Sequence, residues 1–282
     1  MIKCRFCRSK KTIKSFKSFN THGRHFINKE QFQLYFCKHC SSYFISNIKI
    51  NSKYYSKYYT PHYYSNVTSF ISKIIIYTYT KIGYLRFFYK YHHQKLKILD
   101  IGCGRGEFLQ SLPNNFIKFG AEMNSQGIEI CQNLGINVYV GDINKIDFKQ
   151  AKFDIITLWH VLEHLPDPKK TLKIIYSLLK PSGRLFIAVP NSNSIGFKYG
   201  RQNYFHLDSP RHLTIPNDKS IKILLTEIGF SKIRIHLSFF DSPLDLFWSI
   251  RKSPLKLIIY PFYLIFKLFN KETILVSAIK NN

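Results

Sequence analysis

Acidic residues are scarce in this chain. Its 282 residues include 16 Asp and Glu against 42 Lys and Arg, which leaves a net charge of +26. Such a charge attracts nucleic acid, anionic lipid or anionic sugar donors. The lysines are nevertheless spread along the whole sequence, beside an equally heavy use of Ile, Asn, Tyr and Phe. Two interpretations therefore stay open, a selected basic surface and a drift in composition.

Long apolar runs are missing as well. The first residues, Met1 to Cys4, do not open a signal peptide, and no apolar stretch of about 18 residues is free of charge. We therefore expect a cytoplasmic protein with no membrane-spanning helix. The chain is 45% hydrophobic and 16% aromatic, which excludes a disordered polypeptide and predicts one sizeable core.

Cysteine is rare, and its placement is uneven. Of six cysteines, four form two Cys-x-x-Cys pairs, Cys4 with Cys7 and Cys37 with Cys40. Each pair brings two thiolates to one ion, and two pairs complete the tetrahedral sulfur shell that Zn²⁺ prefers. Without a signal peptide, the pattern indicates metal ligands instead of disulfides. Residues 1–50 are therefore predicted to form a small zinc ribbon.

The remaining chain divides into two parts. Residues 51–95 are rich in tyrosine and then show roughly helical apolar spacing, which predicts an aromatic linker and a helical lid. Residues 96–282 alternate short apolar runs with helical stretches, which is typical of an α/β, doubly wound, mostly parallel sheet. The predicted helices are Glu107–Leu112, Gln126–Leu134, Pro168–Leu179 and Asp218–Ile228. The predicted strands are Lys97–Ile101, Lys118–Met123, Asn137–Val140, Phe153–Trp159, Arg184–Val189, Lys232–Leu237 and Ile274–Ile279.

A glycine-rich turn follows the first of these strands. Asp100-Ile101-Gly102-Cys103-Gly104-Arg105-Gly106 joins the strand to a helix, whose N-terminus offers free N–H groups to an anionic ligand. A GxGxG alone is weak evidence. However, Glu122 ends the second predicted strand and Gly141-Asp142 ends the third. Carboxyl ends of parallel strands meet at one ligand crevice, so these residues predict a single pocket.

This series of motifs resembles the class I S-adenosylmethionine-dependent methyltransferases. The resemblance covers about residues 97–280 and includes the later segments 153–168 and 179–185. It implies a Rossmann-like seven-stranded methyltransferase sheet that binds S-adenosyl-L-methionine.

The resemblance also implies a set of cofactor-binding residues. The glycines would lie close to the methionyl part, and Glu122 would accept hydrogen bonds from both ribose hydroxyls. Asp142 would accept one from the adenine amino group, and Ile143 would pack on the ring. The full set is Asp100, Gly102, Gly104, Gly106, Glu122, Asp142 and Ile143.

A narrower resemblance extends over almost the entire chain. His206 and the segment 208–213 are similar to those of bacterial methyltransferases that carry an N-terminal zinc ribbon and a Tyr-Tyr-rich linker. These proteins are frequently associated with sugar or cell-surface polysaccharide biosynthesis. The resemblance therefore implies a small-molecule or glycan acceptor.

Candidate catalytic residues are histidines. Methyl transfer from a sulfonium mainly requires alignment and exclusion of water, but a hydroxyl acceptor also needs a base that titrates near neutrality. His160 follows the fourth predicted strand and is the first candidate. His206 and His212 follow the fifth strand, on the segment that covers the acceptor pocket in such enzymes. A structural role for each of the three stays open.

The segment His160-x-x-Glu163-His164 has two further interpretations. It matches a zinc-protease motif, which we reject because that motif requires a helix and this segment follows a strand. Ubiquinone-type and small-RNA 3′-end methyltransferases place acidic and histidine residues here, and some bind a divalent ion with them. This chain has His160 where those carry an acid, so an ion near Glu163 and His164 stays open.

Residues 255–269 are nearly all apolar and are flanked by Arg251, Lys252 and Lys271. The stretch is too short to span a bilayer. It would suit a peripheral contact with an anionic membrane at the inner face. A hydrophobic lid or a dimer contact is an equal alternative, and the oligomeric state is not predicted.

Taken together, the sequence predicts a methyltransferase that O-methylates a sugar, glycan or glycolipid precursor. Carbon methylation of a nucleotide sugar is the nearest variant. An rRNA or tRNA methyltransferase is the main alternative, in which the ribbon and the basic charge would bind nucleic acid. Against this alternative, the chain lacks the Asn-Pro-Pro-Tyr type of base-methylation motif after the fourth strand. A non-catalytic subunit that binds the cofactor is a third.

Overall fold

A computed structural model describes residues 2–22, 25–46, 48–59, 83–91, 93–236, 243–258, 260–262 and 271–282. Its strands, in chain order, are β1 (Thr12–His22), β2 (His25–Cys37), β3 (Tyr43–Ile45), β4 (Lys97–Ile101), β5 (Ile117–Glu122), β6 (Asn137–Val140), β7 (Phe153–Trp159), β8 (Leu179–Pro190), β9 (Thr214–Ile215), β10 (Phe230–His236) and β11 (Thr273–Lys280). Its α-helices are α1 (Ser52–Tyr58), α2 (Glu107–Ser111), α3 (Ser125–Asn133), α4 (Pro168–Leu178), α5 (Ile195–Gly200), α6 (Asp218–Ile228), α7 (Pro243–Ile250) and α8 (Pro254–Leu257).

The larger sheet has seven strands in the order β10-β11-β8-β7-β4-β5-β6. Strands β4 to β8 of this sheet are parallel to one another, whereas β11 is antiparallel to both β8 and β10. The predicted doubly wound, Rossmann-like methyltransferase sheet is therefore confirmed. The main difference is that β8 begins at Leu179 instead of Arg184, because Leu179 pairs with Phe153 ahead of an irregularity in the register.

Local signals account for the two longest helices. The Asp167 side chain accepts a hydrogen bond from the Lys170 N–H at the start of α4, and Pro168 occupies the first turn. Asn217 and Ser220 form a capping box at the start of α6, which ends at Gly229. Both helices begin where the sequence predicts.

Apolar residues cover both faces of this sheet. On one face, α4 and α6 pack Leu172, Ile175 and Leu224 against strand residues. On the other face, the segment 83–91 packs with residues of β4, β8 and α2. This end of the tyrosine-rich segment is therefore core. Residues 60–82, which hold most of the predicted lid, lie outside the described residues.

A second, smaller sheet lies beside the paired cysteines, and its strand β2 ends at Cys37. Its order is β1-β2-β3-β9. The last strand, β9, lies in sequence between α5 and α6, among the elements that surround the larger sheet. The sequence analysis did not predict β9, because two residues carry no periodicity. Through this strand the ribbon is hydrogen-bonded to the segment that follows α5.

None of the helices in the described ranges is long and apolar enough to cross a membrane.

Candidate functional site

A pocket of about 500 Å³ opens at the carboxyl ends of β4, β5, β6 and β7. It combines the glycine turn, the acidic ends of β5 and β6, and the segment after β7. Two tyrosines of the α1 segment, Tyr55 and Tyr59, also line it. The remaining lining residues are Ile101, Gly102, Gly104, Ala121, Glu122, Met123, Asn124, Gly141, Asp142, Ile143, Trp159, His160, Val161, His164, Leu165 and Pro166.

The three glycines of the turn differ in position. All have positive φ, between +56° and +78°, which favours glycine. Gly102 and Gly104 line the pocket, whereas Gly106 caps α2 and does not. A Cβ at Gly106 would lie 2.8 Å from Ile136 Cδ1 and 3.0 Å from Cys131 Sγ. Gly106 is thus required for close packing beneath the turn.

Glu122 holds the turn to the end of β5. Its Oε2 accepts a hydrogen bond from Gly104 N at 2.9 Å. Its Oε1 accepts bonds from Met123 N at 2.7 Å and Asn124 N at 2.9 Å. The carboxylate is buried at the pocket wall, at the place where the resemblance puts the ribose.

Asp142 and Ile143 lie across the pocket from the turn. Asp142 Oδ1 accepts hydrogen bonds from Asn144 N at 2.9 Å and Asn144 Nδ2 at 3.1 Å, and Ile143 is buried. Burial and the charge of Asp142 raise the pKa of Tyr55, which places that phenol near the carboxylate. The predicted adenine residues and an unpredicted tyrosine therefore share one wall.

Asp100 lies outside the pocket lining, beneath the turn. Its Oδ1 accepts a hydrogen bond of 2.6 Å from Thr157 Oγ1 on β7. Burial, together with the charge of Glu122, raises the pKa of Asp100 to about 8 against the effect of this hydrogen bond. Asp100 therefore links β4 to β7 through this hydrogen bond.

His160 enters the pocket directly after β7. It has a φ of +56°, and its N–H donates to Ala188 O at 2.9 Å. Its Nδ1 lies 3.4 Å from Glu163 Oε1. Glu163 is fully buried, and neither carboxylate oxygen has a hydrogen bond of good geometry among the described residues. Burial raises the pKa of Glu163, but the imidazoles of His160, His212 and His164 together lower it to about 2.

His164 and His212 approach the same carboxylate from the other side. His164 Nδ1 lies 3.1 Å from Arg211 O, and His212 Nδ1 lies 2.7 Å from His206 O. A carbonyl only accepts hydrogen bonds, so each Nδ1 carries a hydrogen. Burial, with the charge of His164, lowers the pKa of His212 to about 4, so His212 is neutral at pH 7.

Only two of the three predicted catalytic histidines belong to this cluster. His160 lines the pocket, and His212 lies behind Glu163, with 4.0 Å between His212 Nε2 and Glu163 Oε1. His206 lies outside the lining, and its Nε2 is 3.1 Å from Asp245 Oδ2 on α7. Sequence reasoning did not select Tyr55 and Tyr59, since a repeated Tyr-Tyr pattern was the only signal for them.

The four paired cysteines form a second cluster, within the predicted ribbon of residues 1–50. All are buried, with 3.8 Å between the sulfurs of Cys4 and Cys40 and 3.6 Å between those of Cys7 and Cys37. Zinc bonded to four sulfurs at about 2.3 Å places those sulfurs about 3.8 Å apart. The donor set therefore fits a tetrahedral zinc ion, as the spacing predicts.

Comparisons with known proteins place this geometry in a family. A family model described as a methyltransferase domain matches residues 77–235, more than half of the chain. The ubiquinone biosynthesis O-methyltransferase of Coxiella burnetii (strain Dugway 5J108-111) is 34% identical over 120 residues, 39% of this chain and 51% of that protein. The enzyme of the same name from Erwinia tasmaniensis is 29% identical over 106 residues, 35% of this chain and 44% of that protein. The chain thus spans about half the length of the curated relatives it matches.

Among solved structures, this chain is similar to a chain of the complex between the Haloferax volcanii Trm112 methyltransferase activator and a methyltransferase. The TM-score is 0.52 at 14% identity, over 74% of this chain and 95% of that chain. At this identity the likeness concerns the fold alone.

We expect Glu122→Ala to weaken binding of S-adenosylhomocysteine by about 1 to 3 kcal/mol, because charge-assisted hydrogen bonds are lost. Isothermal calorimetry measures the change. Glu129→Ala is the matched control, since Glu129 is exposed on α3 and outside the pocket. Equal affinities of the two variants would contradict the assignment of Glu122.

For the ribbon we expect one zinc per chain in protein prepared without chelators, and Cys37→Ser should release it. Elemental analysis gives the ratio. Cys131→Ser serves as control, because Cys131 is equally buried but lies on α3, away from the cluster. Zinc retained by Cys37→Ser, or absent from the wild type, would exclude the site.

Proposed function

The chain belongs to the methyltransferase-domain family, and we propose that it transfers the methyl group of S-adenosyl-L-methionine to a hydroxyl of a sugar, glycan or glycolipid precursor. One observation carries the proposal. A single pocket joins the glycine turn, Glu122 and Asp142 to His160 and His164. The carboxylates suit a nucleoside, and the histidines suit an acceptor that must lose a proton.

In this mechanism His160 is the base. Its Nδ1 faces Glu163, so Nε2 is available for the acceptor proton. The acceptor oxygen attacks the methyl carbon, the carbon–sulfur bond breaks, and its electron pair passes to sulfur. Glu163 stays ionised because its pKa is about 2, and it stabilises the imidazolium that forms.

A divalent ion is the alternative to a histidine base. Ligand atoms of Glu163, His164 and His212 all lie within 4.8 Å of one another. The buried carboxylate without a good hydrogen bond, and two imidazoles whose Nδ1 atoms face carbonyl oxygens, fit an ion bound by these three residues. Such an ion would lower the pKa of a bound hydroxyl. With two imidazoles, the set suits transition metals better than Mg²⁺.

A phenolic hydroxyl is the second candidate acceptor. The curated relatives are named ubiquinone biosynthesis O-methyltransferases, and this supports oxygen as the methylated atom. Tyr55 and Tyr59, whose ring centroids are 5.6 Å apart, offer faces on which either a sugar or a phenol ring can stack. None of the described lining residues is Lys or Arg, which favours an uncharged acceptor group over a nucleotide sugar or RNA.

Label from S-adenosyl-[methyl-¹⁴C]methionine should enter the glycan or lipid fraction of the source cell and not its RNA. His160→Ala and Glu163→Gln should then reduce the rate about 10²- to 10⁴-fold, because the base or its partner is lost. Cofactor affinity should stay within about twofold by calorimetry.

His93→Ala is the control, since His93 is exposed and outside the pocket. Labelled RNA would establish the RNA methyltransferase alternative. Full activity of both variants in metal-free buffer would contradict the role of His160 as the base.

A peripheral contact with an anionic membrane belongs to the same proposal. Leu255, Ile258 and Phe262 are 81%, 65% and 53% exposed, and the exposed Arg251 and Lys252 precede them. Exposed apolar side chains beside basic ones suit an anionic headgroup layer. Leu257, in contrast, packs against the cluster of Ile195, Leu246 and Ile250. Residues 263–270 lie outside the described ranges.

Changing Leu255, Ile258 and Phe262 to Ser should reduce sedimentation with phosphatidylglycerol vesicles, because apolar insertion is lost while charge is kept. The control changes Ile13 on β1 and Val140 on β6 to Ser. These side chains are 46% and 61% exposed. Unchanged sedimentation of the triple variant would favour a lid or a dimer contact. In that case the basic charge alone accounts for vesicle binding.

A further inference from the structure

The ribbon reaches the pocket through one short run of backbone hydrogen bonds. Strand β3 pairs with β9, and Ile45 N donates to Leu213 O at 3.0 Å. Leu213 N donates in turn to Glu163 O at 2.8 Å. Leu213 is thus bound between the ribbon and Glu163, directly after His212. The positions of both cluster residues depend on where β3 lies.

Helix α1 makes a second connection between the same regions. Tyr58 Oη donates to Glu30 of β2, at 2.9 and 3.0 Å from its two carboxylate oxygens. Tyr54 Oη donates to Pro210 O at 3.2 Å. One residue after the helix, Tyr59 Oη lies 3.2 Å from His164 Nδ1. The helix thereby joins β2 to the histidine side of the pocket.

Within the ribbon, the cysteine cluster contacts the turn that precedes β3, a strand that also pairs with β2. Cys37 N donates to Ser42 O at 3.0 Å, and Ser42 Oγ lies 3.0 Å from Cys40 Sγ and 3.5 Å from Cys4 Sγ. Ser42 directly precedes β3. Without an ion the sulfurs take up protons and no longer share bonds to one centre, so loss of the ion should disturb this turn and the strand that follows it.

The cofactor side has its own supports. Gly102 N donates to Ala121 O at 2.7 Å, and Gly104 N donates to Glu122 Oε2 at 2.9 Å. The bonds of Asp142 go to Asn144. These contacts join parts of the larger sheet and its loops, and none of them involves the ribbon.

We propose that metal occupancy of the four-cysteine site positions the acceptor side of the pocket and leaves the glycine turn and Glu122 unchanged. Through β3 and α1, the bound ion holds His212, Glu163 and Tyr59 in place. The inference rests on the proposed function for the identity of the two sides, cofactor and acceptor. The mechanical coupling itself does not depend on methyl transfer.

The test is amide hydrogen exchange on the full chain, loaded with zinc and then stripped with a chelator. Exchange should become about tenfold faster or more at Ile45 and Leu213. The Ile45 N–H donates to Leu213 O and the Leu213 N–H donates to Glu163 O, so loss of the first bond should loosen the second. Gly102 and the amides of β4 and β5 should keep their protection. Affinity for S-adenosylhomocysteine should stay within about twofold. Zinc, but not Mg²⁺, should restore the slow exchange.

A substitution separates the strand contact from the metal. Ile45→Pro removes the N–H that donates to Leu213 O, and it should speed exchange at Leu213 while the chain keeps its zinc. Ile45→Val, which keeps the N–H, should behave as the wild type. If Ile45→Pro does not fold, the chelator experiment on the wild type alone decides.

Three results would overturn the proposal. The first is faster exchange confined to residues 1–50 with Leu213 still protected, and the second is loss of protection throughout β4 and β5. The third is a wild-type chain that contains no zinc. A chain that shows the coupling but binds no S-adenosylhomocysteine would instead contradict the proposed function, so the two failures are distinguishable.

Discussion

The parallel pairing of β4 with β5 and β7 is the constraint on which the pocket depends. Parallel neighbours end at the same edge, so Gly102, Glu122 and His160 meet there although they are far apart in the chain. The turn is then bound to β5 by hydrogen bonds from Gly102 and Gly104. A Cβ at Gly102 would lie 2.5 Å from Val161 Cγ2, so the turn can approach this segment only as glycine.

Glu163 is a fully buried carboxylate, and its burial opposes folding. A buried carboxylate is destabilising unless opposite charges or donors surround it. The nearest imidazole, that of His160, lies 3.4 Å from Glu163 Oε1 and lowers the pKa of the carboxyl against the effect of burial. The free energy of unfolding should therefore lose this contribution as pH falls from the ordinary carboxyl range towards about 2. Strongly perturbed groups in a cleft are typical of functional sites, and this cluster faces the pocket where an acceptor would enter.

The ribbon is more than an appended module in this architecture. A free-standing zinc ribbon would contact the larger unit through side chains at most, whereas here β9 completes its sheet. Asn217, which caps α6, also donates from Nδ2 to Ser41 O at 2.6 Å. The β3–β9 pairing is a main-chain contact, and the Asn217 bond joins a side chain to the main chain. Hydrogen bonds therefore connect residues on both sides of the predicted boundary near residue 50.

Much of the fold followed from local sequence signals. Strands β4, β6 and β7 have the predicted ends, because each is a short apolar run bounded by polar or glycine residues. The helix starts at Pro168 and Asp218 follow from side chains that cap their own helix. The glycine turn and the two CxxC pairs are likewise local, since spacing alone brings their atoms to one place.

The tertiary structure decided what depends on distant partners. Strand β9 exists because β3 offers an unpaired edge, and Thr214-Ile215 carries no signal for that pairing. The same applies to Tyr59, which reaches His164 only after the chain folds, and to His206, which pairs with Asp245 instead of entering the pocket. Apolar sequence in residues 255–262 also could not indicate that Leu257 turns inward while Leu255 faces solvent. The sequence by itself determined strands β4, β6 and β7, the glycine turn and the two Cys-x-x-Cys pairs, because those features are local. Burial, charge environment and neighbours across the chain are set by packing, and packing is a property of the whole fold.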